Sequence, residues 1–344
     1  MVVTQVVRRF GRVGGMESYV WNLCKHLLQF EVTVNLICEE VIEQLPGLAE
    51  SNIWRADQPP NVRPRWRAMR HFQSCVEHLI RGEPRARWGV IHSHERLCSH
   101  DVTTIHGPLM GNYDSFGFWE RLNRRVAEWS KMEKLEVSGV NVRAVCCVSE
   151  IARKQLVQEY IKAPVCSQIM WPGVDVLNGS TQGGGRDINR IFFVGKEWKR
   201  KGLEFAVDVV RSLRDDFPLM HLHVYGPEIH HVPQKLRGEQ WIRFHGFAKP
   251  PFETCGLLIH PAINEPFGMV ISEARAAGVP CLTSTQVGAV GLGFDDVVAL
   301  NLDDGLDLWR ATAHELLAKA KHGPQIVWSW SDLARAYMDV YDSV

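Results

Sequence analysis

HPAINEPFGMVISEARAAGVP, residues His260–Pro280, is the stretch from which the architecture can be read. The apolar run Leu257–His260 before it has the length and composition of a strand and ends at His260. A loop carrying Glu265 and Pro266 follows, a helix is expected to begin near Phe267–Gly268 and run through Glu273, and Gly278 and Pro280 stop it. Another strand candidate, Pro280–Thr283, comes next. Strand, loop, helix and strand in this order form the repeating unit of an α/β protein with a parallel sheet. Glu265 is thereby placed at the mouth of a helix and Glu273 one to two turns inside it. The backbone N–H groups of Phe267, Gly268 and Met269 are expected to head the first turn, a natural seat for a phosphate or a developing negative charge. The plainer alternative is a capped helix bearing two exposed acids. A glycosidase-like carboxylate pair is a third possibility, but hydrolysis needs no phosphate cradle.

Outward from this segment the same alternation continues. Strands are expected at Ile191–Val194, Leu222–Tyr225 and Ile242–Phe244, with helices near Leu203–Leu213 and Gly268–Ala277. The first half repeats the scheme. Its strand candidates are Val2–Val7, Val32–Ile37, Trp88–His92, Val102–Ile105, Ala144–Val148 and Val165–Met170, and its amphipathic helices are Met16–Leu28 and Phe118–Glu136. Ser149 is placed as the N-cap of a helix starting at Glu150. Between the halves, LNGSTQGGGRDIN (177–189) has a linker composition. The chain therefore divides into a first domain over 1–176, a linker over 177–189, and a second domain over 190–324. The fold class is α/β: two Rossmann-like domains with parallel sheets whose strand ends face a central cleft.

Two smaller motifs sit at strand ends. In RVGGMESYVWNL, Gly14 and Gly15 turn the chain into the first helix, letting backbone N–H groups reach a phosphate or sugar. In DVTTIHGP, His106 closes a strand and should project from the top of the sheet, unless it is simply a hydrogen-bonded strand-end histidine. His92 and His94 alternate at another strand end, a weak metal pattern without convincing further ligands.

Composition narrows the function classes. Of 344 residues, 39 are Lys or Arg and 39 Asp or Glu, so no global charge favours nucleic acid. No run reaches the roughly 18 apolar residues of a membrane-spanning helix, and the N-terminus does not resemble a signal peptide. Nine cysteines without a C-x-x-C pair suit a reducing, cytoplasmic setting. One local excess stands out: seven arginines lie within 63–87, with Trp66, Phe72 and Trp88 among or beside them. Arg63, Arg65, Trp66, Arg67 and Arg70 are candidates for an acceptor or anionic-membrane surface, the alternative being an ordinary charged helix.

Glu265 and Glu273 within EPFGMVISEARAAGVP, together with FVGKEWKRKGLEFAV (Phe193–Val207), resemble the signature of the retaining GT-B glycosyltransferases of family 4. The smaller segments WPGVDV (171–176), FHGF (244–247) and WSWSDLARAYMDVY near the C-terminus are similar to that family as well, in the right order and over most of the chain, and the last implies a C-terminal helix over 325–344 that returns to the first domain. The resemblance implies a metal-independent enzyme that takes a sugar from a nucleotide-diphosphate donor, UDP- or GDP-linked, without another cofactor. Carried over, Glu265 and the amides of Phe267, Gly268 and Met269 hold the donor sugar, and Glu273 binds the ribose. Lys196 and Lys201 clamp the diphosphate, Lys196 standing where the family usually has Arg and lacking its bidentate fork. Gly14 and Gly15 line the cleft, and His106 touches the donor sugar. The length and style are similar to bacterial enzymes of lipopolysaccharide-core or surface-glycan assembly, which implies a glycan or lipid-linked acceptor and a place at the inner face of the cytoplasmic membrane. The rivals are a nucleotide-sugar epimerase of the same fold and a non-catalytic sugar-nucleotide or glycan-binding subunit.

Overall fold

The computed structural model describes residues 1–57, 62–111, 123–175, 186–319 and 323–344, which fall into two compact units. The first comprises Met1–Gly173 and Trp330–Val344, the second Val174–Ser329. Val174, Asp175 and residues 325–329 thus go with the second unit, a few residues away from the boundaries expected from composition.

Short β-branched runs build the first unit's seven-stranded sheet in the order Ile53–Arg55, Thr33–Cys38, Val2–Val6, Val90–Ser93, Val102–Ile105, Ala144–Cys147, Val165–Ile169. Every pairing is parallel. Growth runs outward from Val2–Val6 on one side and then resumes on its other side at Val90–Ser93. The carboxyl ends of those two neighbours mark the switch point where open α/β sheets bind ligands. The helix Gly15–Gln29 buries Tyr19, Val20, Leu23 and Leu27. The terminal helix Trp330–Ser343 packs against it, burying Trp330, Leu333, Tyr337, Val340 and Tyr341.

The second unit repeats the scheme with six parallel strands, ordered Ile242–Phe244, His221–Tyr225, Asp187–Val194, Cys255–His260, Cys281–Ser284, Val297–Leu300. Its switch point lies between Asp187–Val194 and Cys255–His260. The helices Leu203–Leu213 and Leu306–Ala318 cover one face, with Leu203, Val207, Val210, Trp309 and Leu316 in a single core with the strands.

Four expectations are revised. Asp187–Asn189 is not linker but the start of a strand, held to its neighbour by the pairing of Asp187 with Cys255; residues 177–185 and Val176 lie outside the described residues. Trp88 ends a short helical turn rather than starting a strand, because Gly89 at φ 57° breaks the extended path. The helix expected over Phe118–Glu136 is described from Arg124 to Ser138, residues 118–122 lying outside the described set. The fourth concerns the basic segment: Arg65–Gly82 is a helix whose Trp66, Met69, Phe72 and Val76 form an inward stripe at helical spacing. Each such side chain contributes about 1.5–3 kcal/mol through burial, so Trp66 belongs to the core and not to an exposed patch. Phe72 and Trp88 are buried with it. Among the described residues no helix is long and apolar enough to cross a membrane.

Candidate functional site

In the second unit the central strand ends at Val194 and hands over to Gly195, Lys196 and a tight turn leading to Lys201. A β-carbon on Gly195 would lie 2.1 Å from Cδ of Lys201, so only glycine lets that side chain cross the strand end. Lys201 Nζ thereby reaches Glu265 Oε2 at 3.1 Å. Arg200 Nη1 meets the same oxygen at 3.2 Å and also donates to the Asn264 carbonyl. Lys196 is exposed at the rim.

Glu265 is fixed from behind by backbone. Its N–H donates to the Gln286 carbonyl at 3.0 Å, and its own carbonyl accepts from Gly288 N–H at 3.0 Å, a parallel bridge that pins the loop after His260 to the loop after Ser284. Burial alone would raise the Glu265 carboxyl; the ring of His260 facing it and, above all in this geometry, the charges of Lys201 and Arg200 at 3.1 and 3.2 Å outweigh burial and hold it down to about 2. Glu273 shows the opposite balance, raised by burial against the weaker pull of Lys201 and Lys249. The two acids of the signature are therefore driven apart by their surroundings, one firmly ionised and one reluctant.

The helix following Glu265 spans Met269–Ala276, later than expected. Gly268 is its N-cap, at φ 90° and ψ 63°, and a β-carbon there would press on Val287 and Glu265. The first turn is accordingly headed by Met269 and Val270. Phe267 is buried, with its carbonyl accepting from Ala289 N–H at 2.8 Å, which makes it part of the scaffold. No side chain caps this helix. An uncapped first turn, two lysines and a buried carboxylate provide donors for a diphosphate and an acceptor for hydroxyl groups.

At the first unit's switch point the groups are of another kind. His106 Nε2 lies 2.9 Å from His94 Nδ1, and His94 Nε2 lies 2.8 Å from Gln5 Oε1. Gln5 donates to the Tyr341 hydroxyl, which meets His92 Nδ1 at 2.7 Å; His92 Nε2 meets Thr104 Oγ1 at 2.8 Å. Thr104 continues to Tyr337 and Tyr337 to Tyr19. Burial lowers all three histidines, His106 to about 3, so the network is neutral. His92 and His94 spend their ring nitrogens inside it. At the rim, burial lifts the Glu95 carboxyl to about 7 against the N–H and charge of Arg8. The Gly14–Gly15 turn heads a helix as expected, but the Glu17 carboxylate folds over Gly14 and pairs with Arg9 at 2.7 Å.

Lys201, Glu265, Glu273, Gly268 and Met269 are brought to one strand-end crevice of the second unit, with Phe267 behind them and Lys196 at the edge. Gly14, Gly15 and His106 belong to the first unit. Of the basic group, Arg63, Arg65 and Arg67 are exposed, while Arg70 pairs with Glu128 and, with Arg67 and Arg124, stacks on Trp66. Sequence reasoning missed Arg200, His260, Gln5 and Glu95. Arg200 was hidden in the run Lys199–Arg200–Lys201, and the only available signal for His260 was its place as the last strand residue before the loop.

Known proteins resemble both halves. The family described as Glycosyltransferase Family 4 matches residues 13–176, and the one described as Glycosyl transferases group 1 matches residues 188–317. A D-inositol 3-phosphate glycosyltransferase of Corynebacterium urealyticum is 23% identical over 97% of this chain and 92% of its own. The lipopolysaccharide glucosyltransferase WaaG of Escherichia coli is 24% identical over 66% of each chain. Among solved structures, that of WaaG superposes with a TM-score of 0.75 at 16% identity, covering 98% of this chain and 95% of the other. Anabaena HepE in complex with UDP-glucose gives 0.70 at 13% identity over 100% of both chains.

Proposed function

We propose, from the premise that this chain belongs to the family-4 glycosyltransferases of GT-B fold, that it transfers a hexose-type sugar from a nucleotide-diphosphate donor with retention at the anomeric carbon. The observation that carries this is the second unit's crevice, where Lys201 and Arg200 converge on a buried, ionised Glu265 beside an uncapped helix N-terminus. Glu265 orients the donor sugar. Lys196, Lys201 and the amides of Met269 and Val270 stabilise charge on the departing diphosphate, and Glu273 accepts the ribose hydroxyls. His106 offers its other ring nitrogen to the sugar, and Gly14 and Gly15 keep backbone close to it. The charge on the leaving group is met by lysines and amides, so no metal is required and activity should survive EDTA. The likeness to HepE, whose structure holds UDP-glucose, supports a UDP-linked donor.

The acceptor is a glycan or lipid-linked glycan of bacterial surface assembly, reached from the cytoplasmic side. Arg63, Arg65 and Arg67 are the basic groups available to hold the protein against an anionic membrane. Co-sedimentation with anionic vesicles should fall in R63E/R65E/R67E and at high salt; equal binding to neutral vesicles would remove the membrane from the scheme.

The direct test is a thermal-shift screen of UDP-, GDP- and ADP-sugars, with E273A as control. Stabilisation by one nucleotide series, weakened in E273A, supports the donor site and identifies the base. Folded protein that ignores all of them at millimolar concentration favours the rival glycan-binding subunit.

A further inference from the structure

His260 is the last residue of the strand Cys255–His260 and is fully buried. Its carbonyl accepts from Thr283 Oγ1 at 2.8 Å and its ring lies roughly parallel to Phe193, with centroids 6.3 Å apart. Neither ring nitrogen has a hydrogen-bond partner among the described residues. Unsatisfied imidazole nitrogens at a buried strand end are costly, and an apolar side chain would fill the space without that penalty. Nε2 points to one group: it stands 3.8 Å from Glu265 Oε2, just beyond bonding range.

The contacts of Lys201, Arg200 and His260 all fall on that single oxygen. Lys201 and Arg200 reach it along flexible stems, and a bound diphosphate competes for exactly such cations. His260 has no long stem to swing: the strand and the Thr283 bond hold its backbone, and Phe193 packs along its ring. Burial also disfavours its protonation, and a neutral imidazole with the proton on Nε2 is a donor that a diphosphate does not attract.

We propose that His260 is a positioning residue for Glu265: when a nucleotide sugar draws Lys201 away, the Nε2–H of His260 closes on Oε2 and keeps the other carboxylate oxygen aimed at the sugar hydroxyls. The contraction from 3.8 Å to an ordinary bond of about 2.9 Å is within reach of a small rotation of the Glu265 side chain. The inference rests on the assignment of Glu265 to the donor sugar and adds what holds that acid once its cation has left.

The test compares UDP-glucose with UDP by isothermal titration, since only the sugar half should feel His260. In the wild type UDP-glucose binds more tightly than UDP. H260L should lose about tenfold of UDP-glucose affinity and leave UDP affinity unchanged, while H260Q, which keeps a donor at similar reach, should restore most of the difference. A wild-type ratio in H260L, equal loss for both ligands, or H260Q no better than H260L overturns the proposal. Should H260L fail to give a cooperative melt, H260M against H260Q makes the same comparison. Wild-type protein that binds neither ligand, or binds both equally, overturns instead the assignment of Glu265 on which the proposal stands.

Discussion

The two units have the same kind of sheet and the same kind of switch point, yet their crevices hold opposite chemistry. In the first, eight polar or aromatic groups on or just beyond three strands and on two helices hand hydrogen bonds to one another, and burial keeps the histidines neutral. In the second, charge is left concentrated on Glu265, Lys201 and Arg200 beside a helix end with no side-chain cap. Neither helix end has a side-chain cap, but the acid over Gly14, Glu17, is met by the exposed Arg9, whereas the acid beside Gly268, Glu265, is buried and met by two cations. Topology thus supplies the crevice twice, and side chains decide that one gathers charge while the other is a wall of mutually satisfied hydrogen bonds.

Four experiments can break or sharpen this contrast. The largest effect is expected from E265Q, which keeps shape but removes the charge: sugar transfer should drop by about 10²-fold or more, while UDP still stabilises the protein. Equal loss of UDP binding would mean that Glu265 acts as scaffold. Next, K201M should weaken UDP binding by roughly 1.5–3 kcal/mol, the usual worth of a charge-assisted hydrogen bond, measured by titration; an unchanged affinity would shift the clamp to Lys196 and Arg200.

The first unit should respond in stability rather than in nucleotide binding. Y341F strands Gln5 and His92 in the buried network, at a cost of about 1–3 kcal/mol in denaturant unfolding, with UDP affinity unaltered. The smallest effect belongs to Glu95. Its carboxyl rises from 4.5 to about 7 in the folded protein because burial disfavours the charge. The stability this gives is therefore complete below pH 4.5 and is lost as pH rises through about 7. E95Q should equal the wild type near pH 4.5 and be more stable by about 1 kcal/mol at pH 8, the partial exposure of Glu95 limiting the gain. Parallel melting curves of the two proteins from pH 5 to 8 would show the environment of Glu95 to be more hydrated than its burial implies.

Much of this was legible in the chain. Apolar periodicity located the helices Gly15–Gln29 and Leu203–Leu213 and most strands, because burial is encoded residue by residue, but it did not pick out the helix Leu306–Ala318 or the strands Ile53–Arg55 and Val297–Leu300. The pair Glu265 and Glu273 declared itself because a strand, a glycine and a helix start stand at fixed spacing around it. Ser149 was readable as a cap for the same local reason, and its Oγ does accept from Ala152 N–H. The stripe of Trp66, Met69, Phe72 and Val76 was equally present, but the surrounding arginines masked it until burial separated inward from outward positions.

Other features have no local signature. That Arg200 rather than Lys199 turns inward depends on where residues 263–265 pass, some 60 positions later. Gln5, His94, His106 and Tyr341 become one network only when three strands and the terminal helix converge. The sequence by itself determined which segments are strands and helices, where the chain punctuates, and which acids and lysines could serve a donor. Only the tertiary structure decided which of those charges meet and which histidines stay neutral, because those properties follow from burial and from distances between groups far apart along the chain.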